Sequence, residues 1–273
     1  MRIALCLTGL LGGLKGRNGI GKTIDPLNGF YWFNKNIFQN NDVDVFFHTW
    51  SDSKFDLVSI YEPKKYLIEN QENFSGIDSQ FYGFESYESL YVNENRLDQS
   101  YVCSQEEIID FKNLIFRANS KWASFTKAIK LKSEYEEENN FKYDFVVTTR
   151  FDVALVKRID FSSLKKHTLY LSKRNEKQAG EDRAFNDLIF IGDSNVLNLF
   201  SKLFDERYKY SIDPIYSCYD HIVYKEIKWQ NYFEFDKDIR ILRWNQHLMR
   251  FNPQPYYFIR HSLREIKRKF LNV

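Results

Sequence analysis

The sequence predicts an α/β protein built on a mostly parallel, doubly wound, Rossmann-like sheet flanked by helices. Three observations carry that reading. Short apolar runs suited to buried strands recur at Arg2–Leu7, Val43–Thr49 and Tyr143–Asp152. Between them lie stretches with helical spacing and recognisable caps. The third run ends in a cation and a carboxylate, Arg150 and Asp152, two residues apart. Side chains alternate along a strand, so this pair points to one side, and in an open α/β sheet ligands bind beyond the carboxyl ends of the strands. An arginine fork can grip a diphosphate, and an aspartate can hold a divalent ion or a sugar hydroxyl. A plain ion pair at a strand end is the competing reading.

The elements follow in order. The Arg2–Leu7 strand leads into a glycine-rich segment, Thr8–Lys22. Asp25 can cap a helix with Pro26 at its first position, continuing through Phe30, Trp32, Phe33 and Phe38. After the Val43–Thr49 strand, Ser51–Tyr61 reads as a short helix and Lys65–Ile68 as a third strand. Residues 70–103 are rich in Asn, Ser, Gln and Tyr without periodicity, which predicts an irregular excursion lying over the site. Ser104 and Glu107 form a capping box ahead of Ile108, Ile109 and Phe111. Trp122, Phe125, Ala128, Ile129 and Leu131 mark one face of a helix reaching about Glu138. The Arg-Phe-Asp strand comes next. Thr168–Leu171 and Asp187–Ile191 read as further strands, and Asn195–Phe204 as a helix. With 273 residues and no repeat or linker, the chain is expected to form a single domain over residues 1–273.

Composition narrows the function classes. A formal charge of +2 lacks the basic excess of a nucleic-acid binder, so no nucleic-acid partner is expected. A mean hydropathy of −0.52 argues against a membrane-spanning chain. Cys6, Cys103 and Cys218 are odd in number and far apart, which encodes neither a disulfide framework nor a zinc site and fits a cytoplasmic location. Aromatic residues make up 18% of the chain, a high share; exposed rings suit the apolar faces of sugars or bases, and most of the aromatics are expected in the core.

Gly16-Arg17-Asn18-Gly19-Ile20-Gly21-Lys22-Thr23 matches a phosphate-binding P-loop at every position. Its context is poor. The first strand ends near Leu7, and Pro26 with Gly29 disfavours a helix starting at Lys22. The match therefore reads as coincidental: the plain reading is a flexible, basic, glycine-rich loop, and a third is a loop that closes over a sugar-nucleotide diphosphate without P-loop geometry.

Several segments in order resemble the bacterial capsule and lipopolysaccharide glycosyltransferases of the GT-A-like kind. Met1–Gly9 reads MRIALCLTG, Asp44–Trp50 reads DVFFHTW, and Tyr61–Tyr66 reads YEPKKY. A Ser-, Lys- and Ala-containing helix, Ser120–Glu138, precedes the YDFVVTTRFD strand of Tyr143–Asp152, and Phe185–Gly192 is similar to an Asn-Asp-apolar-Gly element. The resemblance covers about half the chain. It implies a GT-A-like fold, a nucleotide-sugar donor, a glycan or lipid-linked glycan acceptor, and Mn or Mg as a candidate ion. It departs from the usual metal motif, because Arg150 stands where the first carboxylate of a DxD would be.

On this reading Thr8, Gly9, Asn119, Ser120, Arg150 and Asp152 are the candidate donor-binding residues. Asp187, with Glu181 and Asp182 nearby, is the candidate base for the acceptor hydroxyl. Asp152 and His221 are the candidate metal ligands. A solvated charge run accounts equally for Glu181 and Asp182, and a structural role for His221. Near the C-terminus, Ile259, Leu263, Ile266 and Phe270 share one face of a helix expected at about 258–271, with Arg260, Arg264, Lys267, Arg268 and Lys269 around it. Such a helix can associate peripherally with an anionic inner membrane face. Two alternatives stand beside sugar transfer: phosphoryl or sulfuryl transfer at Gly16–Thr23, and a catalytically inactive sugar-binding protein.

Overall fold

The computed structural model describes residues 1–11, 24–39, 41–50, 56–74, 79–173 and 185–242. The Gly16–Thr23 motif, Glu181, Asp182 and the 258–271 segment therefore lie outside the described residues. Strands β1 (Arg2–Thr8), β2 (Asp42–Trp50), β3 (Lys65–Glu69), β4 (Phe145–Arg150), β6 (Leu169–Lys173), β7 (Phe185–Gly192) and β8 (Trp229–Glu234) form one sheet in the order β3-β2-β1-β4-β7-β6-β8. β3, β2, β1 and β4 run parallel. β7 is antiparallel to both β4 and β6, and β6 is parallel to β8. The mostly parallel expectation holds with β7 as the reversed strand. β5 (Val153–Leu155) and β9 (Ile239–Ile241) make a separate two-stranded ribbon.

Alternation along β1 builds two cores. Ile3, Leu5 and Leu7 face one side, where they meet Phe30 and Phe33 of helix α1 (Pro26–Phe33), Leu57 and Ile60 of α2 (Leu57–Tyr61), and the β5–β9 ribbon. Ala4 and Cys6 face the other side, against α4 (Gln105–Glu138), α5 (Ser194–Phe200) and α6 (Pro214–Tyr224). Helices cover both faces, so both faces are apolar and the strands read as continuous hydrophobic runs.

Several expectations are corrected here. α1 runs through Gly29, capped by the Asp25 carboxylate at the Leu27 N–H. The glycine is not a breaker; a Cβ there would lie 2.3 Å from the Phe151 carbonyl oxygen, so its absence lets α1 press against the turn after β4. Residues 70–103 are not wholly irregular: α3 (Tyr87–Glu94), capped by Ser86 and Ser89, packs through Leu90 against Phe111 and Ile115 of α4. Its aromatic and polar face carries no helical stripe, which hid it. The Ser104–Glu107 capping box opens one unbroken helix of 34 residues rather than two. Elements after residue 205, α6, β8 and β9, had no predicted counterpart, although Asp213-Pro214 is the same cap-and-proline pair that marks α1. The three cysteines are free.

Candidate functional site

Register places Thr8 of β1 between His48 of β2 and Arg150 of β4, one row across the carboxyl edge of the parallel strands. Because β7 runs the other way, with Ile189 opposite Thr149, its first residues, including Asp187, lie at this same edge. The chain leaves β1 through Gly9 at a φ of +86°, a left-handed conformation that favours glycine. Among the described residues, its two chain neighbours aside, no atom lies within 4 Å of where a Gly9 Cβ would be. Thr8 is buried, its hydroxyl directed at the Thr149 carbonyl oxygen.

Arg150 and Asp152 do lie on one side, as alternation requires, but they hold each other. The guanidinium donates from Nε to one carboxylate oxygen at 2.8 Å and from an Nη to the other at 2.5 Å. Asp152 is fully buried while the Arg150 side chain stays a quarter exposed. The expectation of a carboxylate open to the cleft is therefore corrected: the carboxylate lies behind the cation and aims it outward. Gly29 and the Phe151 backbone support this turn from beneath.

Helix α4 crosses the same edge and sends a polar side chain to successive strands at every third residue, a spacing that keeps them on one face. Lys121 reaches β7, where its ammonium contacts the Asp187 carboxylate and donates to the Asp187 carbonyl oxygen at 2.7 Å. Ser124 accepts from the Gly9 N–H at 2.8 Å and lies 2.8 Å from His48 Nδ1. His48 Nε2 lies 2.9 Å from Glu69 on β3, and Glu69 in turn contacts the Lys127 ammonium. One assignment satisfies every atom of this chain: the Ser124 hydroxyl donates to Nδ1, and a neutral His48 donates from Nε2 to Glu69. Burial lowers the His48 pKa, consistent with that neutral ring. Burial alone would raise the Glu69 carboxyl, but the bonds from Lys127 and His48 outweigh it and hold it below its usual range. Burial pushes the Lys121 ammonium down to about 7, with the nearby Arg150 adding to the effect, while Cys218, Asp213 and Asp152 pull the other way.

No family model matches the chain, and no curated protein matches it either. Among solved structures it is similar to a protein of Desulfovibrio desulfuricans G20 described as a nucleotide-diphospho-sugar transferase, at 10% identity and a TM-score of 0.39, over 85% of this chain and 80% of that one. The fold assignment rests on the strand order itself.

The sequence-derived candidates divide accordingly. Thr8, Gly9, Arg150, Asp152 and Asp187 share the carboxyl edge, although the Gly9 amide is taken by Ser124. Asn119 is buried and turned into the helix packing, donating to Ile115 O at 2.8 Å, so it lines no cleft. Ser120 faces the segment after β3 and pairs with Gln71. Trp122 is core, packed on Phe125, Phe190 and Phe200. His221 is likewise core: fully buried, with Nδ1 3.0 Å from the Tyr210 hydroxyl and Nε2 3.3 Å from the Leu199 carbonyl oxygen. With Asp152 spanned by a guanidinium and His221 engaged at both nitrogens, these two residues as arranged do not fit a divalent cation. Among the described residues no three His, Cys, Asp or Glu side chains gather with metal-ligand geometry.

Lys121, Ser124 and His48 were the site residues that sequence reasoning missed. His48 did leave a signal, a histidine inside the apolar run Val45-Phe46-Phe47-His48-Thr49-Trp50. Lys121 and Ser124 left none, since nothing in a helical pattern says which strand each residue will cross.

Proposed function

We propose that this protein is a glycosyltransferase that takes a sugar from a nucleotide-diphosphate donor, with a capsule or lipopolysaccharide glycan as acceptor. The observation that carries the reading is Arg150: a partly exposed guanidinium at the carboxyl end of a parallel strand, backed by a buried carboxylate that fixes its orientation. A fork held in this way suits the charge that develops on a departing diphosphate without reorganisation during the reaction. Lys121 supplies a second cation beside it. No described residue beyond its chain neighbours lies against Gly9 at the end of β1, where the donor would sit in this reading.

In this reading Asp187 is the base for the acceptor hydroxyl. Its carboxylate is held by Lys121, so a diphosphate that attracts Lys121 leaves Asp187 free to take a proton. Thr8 borders the donor, and Ser124, through Gly9, holds the start of the segment that follows β1. The P-loop alternative loses support from the helix after it, since Ile24 and Asp25 are not helical and α1 begins only at Pro26. Among the described residues no helix is long and apolar enough to cross a membrane. A lipid-linked acceptor would instead be met through peripheral attachment of the basic 258–271 segment, which co-sedimentation with anionic vesicles, beside a truncation after Tyr257, tests directly.

The deciding experiment is a thermal-shift screen of UDP-, GDP- and CMP-sugars against ATP. A response to a nucleotide-diphosphate sugar that Arg150→Ala abolishes supports the transferase. A response to ATP alone, lost in Lys22→Ala, would replace it with nucleotide hydrolysis or phosphoryl transfer.

A further inference from the structure

Away from the strand edge, the described residues enclose a groove of about 410 Å³, within the range of about 300–1,000 Å³ usual for small-molecule sites. Its floor is one stripe of α4, Asp110, Phe111, Leu114 and Arg117, spaced so that they share a face. The next residue on that stripe is Lys121. At a rise of about 1.5 Å per residue, Leu114 lies about 10 Å from the lysine at the candidate transfer site. The opposite wall comes from Tyr91 and Glu94 of α3 and from Tyr216 of α6. Asp213, the N-cap of α6, lines the groove and also acts electrostatically on Lys121, so groove and site are neighbours.

The two regions have opposite charge. The strand edge presents Arg150 and Lys121, whereas the groove is lined by Glu94, Glu107, Asp110 and Asp213 against the single cation Arg117. A second cavity of about 440 Å³ continues from it, sharing Glu94, Asn95, Ser211 and Tyr216 and adding Asp220 and one more cation, Arg96. Glu94 is already half committed, accepting from the Ser211 hydroxyl at 2.9 Å and the Ile212 N–H at 3.1 Å. Burial raises its carboxyl, and Asp220 and Asp213 add to that. With five carboxylates, Glu94, Glu107, Asp110, Asp213 and Asp220, against the two cations Arg117 and Arg96, an anionic ligand would meet net repulsion here. Sugar hydroxyls or ammonium groups would find acceptors, and the half-buried ring of Tyr216 suits the apolar face of a pyranose.

We infer that this groove binds the acceptor, and that the part of the acceptor it holds is a neutral or amine-bearing oligosaccharide rather than an acidic one. The inference rests on the transferase reading for the word acceptor, but not for the binding itself. Charge then sorts the two substrates, the donor diphosphate to the cationic edge and the glycan to the acidic groove.

Three trisaccharide probes test it by saturation-transfer NMR and titration: chitotriose with free amines, its N-acetylated neutral counterpart, and trigalacturonate. The expected result is binding of the first two, with trigalacturonate at least tenfold weaker. Tyr216→Ala should weaken both binders about tenfold. Glu94→Gln, which keeps the Ser211 and Ile212 bonds and so the fold, should weaken the amine trimer more than the neutral one. Both variants should leave nucleotide-sugar binding unchanged. Equal binding of trigalacturonate, absence of binding by all three, or trimer binding unchanged in both variants would overturn the inference. If trimers bind through Tyr216 and no nucleotide sugar binds at all, the transferase reading fails and the groove stands as a glycan-binding site.

Discussion

Lys121 and Lys132 lie on the same helix about three turns apart, each with its ammonium drawn from water onto a carboxylate, yet they are different devices. Lys132 is fully buried and its three donors are all taken, by Glu136 at 3.0 Å, Ser194 Oγ at 2.6 Å and Asn198 Oδ1 at 2.8 Å. Glu136 is equally saturated, accepting also from Lys142, Ser194 and the Tyr143 N–H, which joins α4 to α5 and to the start of β4. Lys121 is partly exposed, and its hydrogen-bond partners are both atoms of one residue, Asp187. A closed network of buried charges is a fastening, because removing any member strands the rest. An ion pair at the edge of a cleft can exchange its partner for a ligand. The difference lies in where along the sheet each lysine falls: Lys132 toward the amino edge beside the start of β4, Lys121 over the carboxyl edge.

Substitution of each lysine should separate the two roles. Lys132→Met leaves Glu136 buried without its main counter-charge and should cost about 3–5 kcal/mol in denaturant unfolding. Lys121→Met should cost about 1 kcal/mol or less, since its partner can turn to water. Equal losses would make both lysines fastenings and remove Lys121 from the site.

Ligand binding sharpens the same contrast from the other side. Lys121→Met and Arg150→Ala should each weaken binding of the responsive nucleotide-diphosphate sugar by tenfold or more in calorimetric titration, which is about 1.4 kcal/mol apiece. Asp152→Asn, which loosens the aim of Arg150 without removing it, should fall between them and the wild type. Unchanged affinity in Arg150→Ala would reduce the Arg150–Asp152 pair to a structural contact.

The two histidines extend the comparison to pH. Burial holds His221 at about 4 and also lowers His48, both from an ordinary 6.5. The unfolded chain therefore binds protons that the folded chain refuses between those values. Their stabilising contribution is complete above pH 6.5 and declines as pH falls toward 4, by up to about 1.4 kcal/mol per pH unit for each histidine. His221→Gln should lower stability at pH 7 and flatten the decline; a decline of unchanged slope would show that other groups carry it. At Gly9 the expected cost is that of an unfavourable φ for Ala, about 1–2 kcal/mol in denaturant unfolding, with unchanged stability counting against it.

Much of this architecture was legible in the chain. Apolar runs located β1, β2, β4 and β7, and the Asp25-Pro26 and Ser104–Glu107 caps located the starts of α1 and α4, because strand burial and capping are local consequences of residue type. The same alternation put Arg150 and Asp152 on one side. Helix α3 was not legible, since its aromatic and polar residues follow no period and acquire an inside only from what they pack against, whereas α6 carried a cap and a helical stripe that went unread.

By itself, then, the sequence determined the order of the main strands and helices up to α5, α3 excepted, and the presence of a charged pair at the end of β4. Only the tertiary structure decided what those charges face. Asp152 turned inward to Arg150, Lys121 arrived from a helix 29 residues upstream of Arg150 to meet Asp187, and Ser124 took the Gly9 amide through contacts 115 residues apart. Periodicity specifies the face on which a side chain stands, but partners across a sheet edge are set by strand order and helix crossing, which no local pattern encodes.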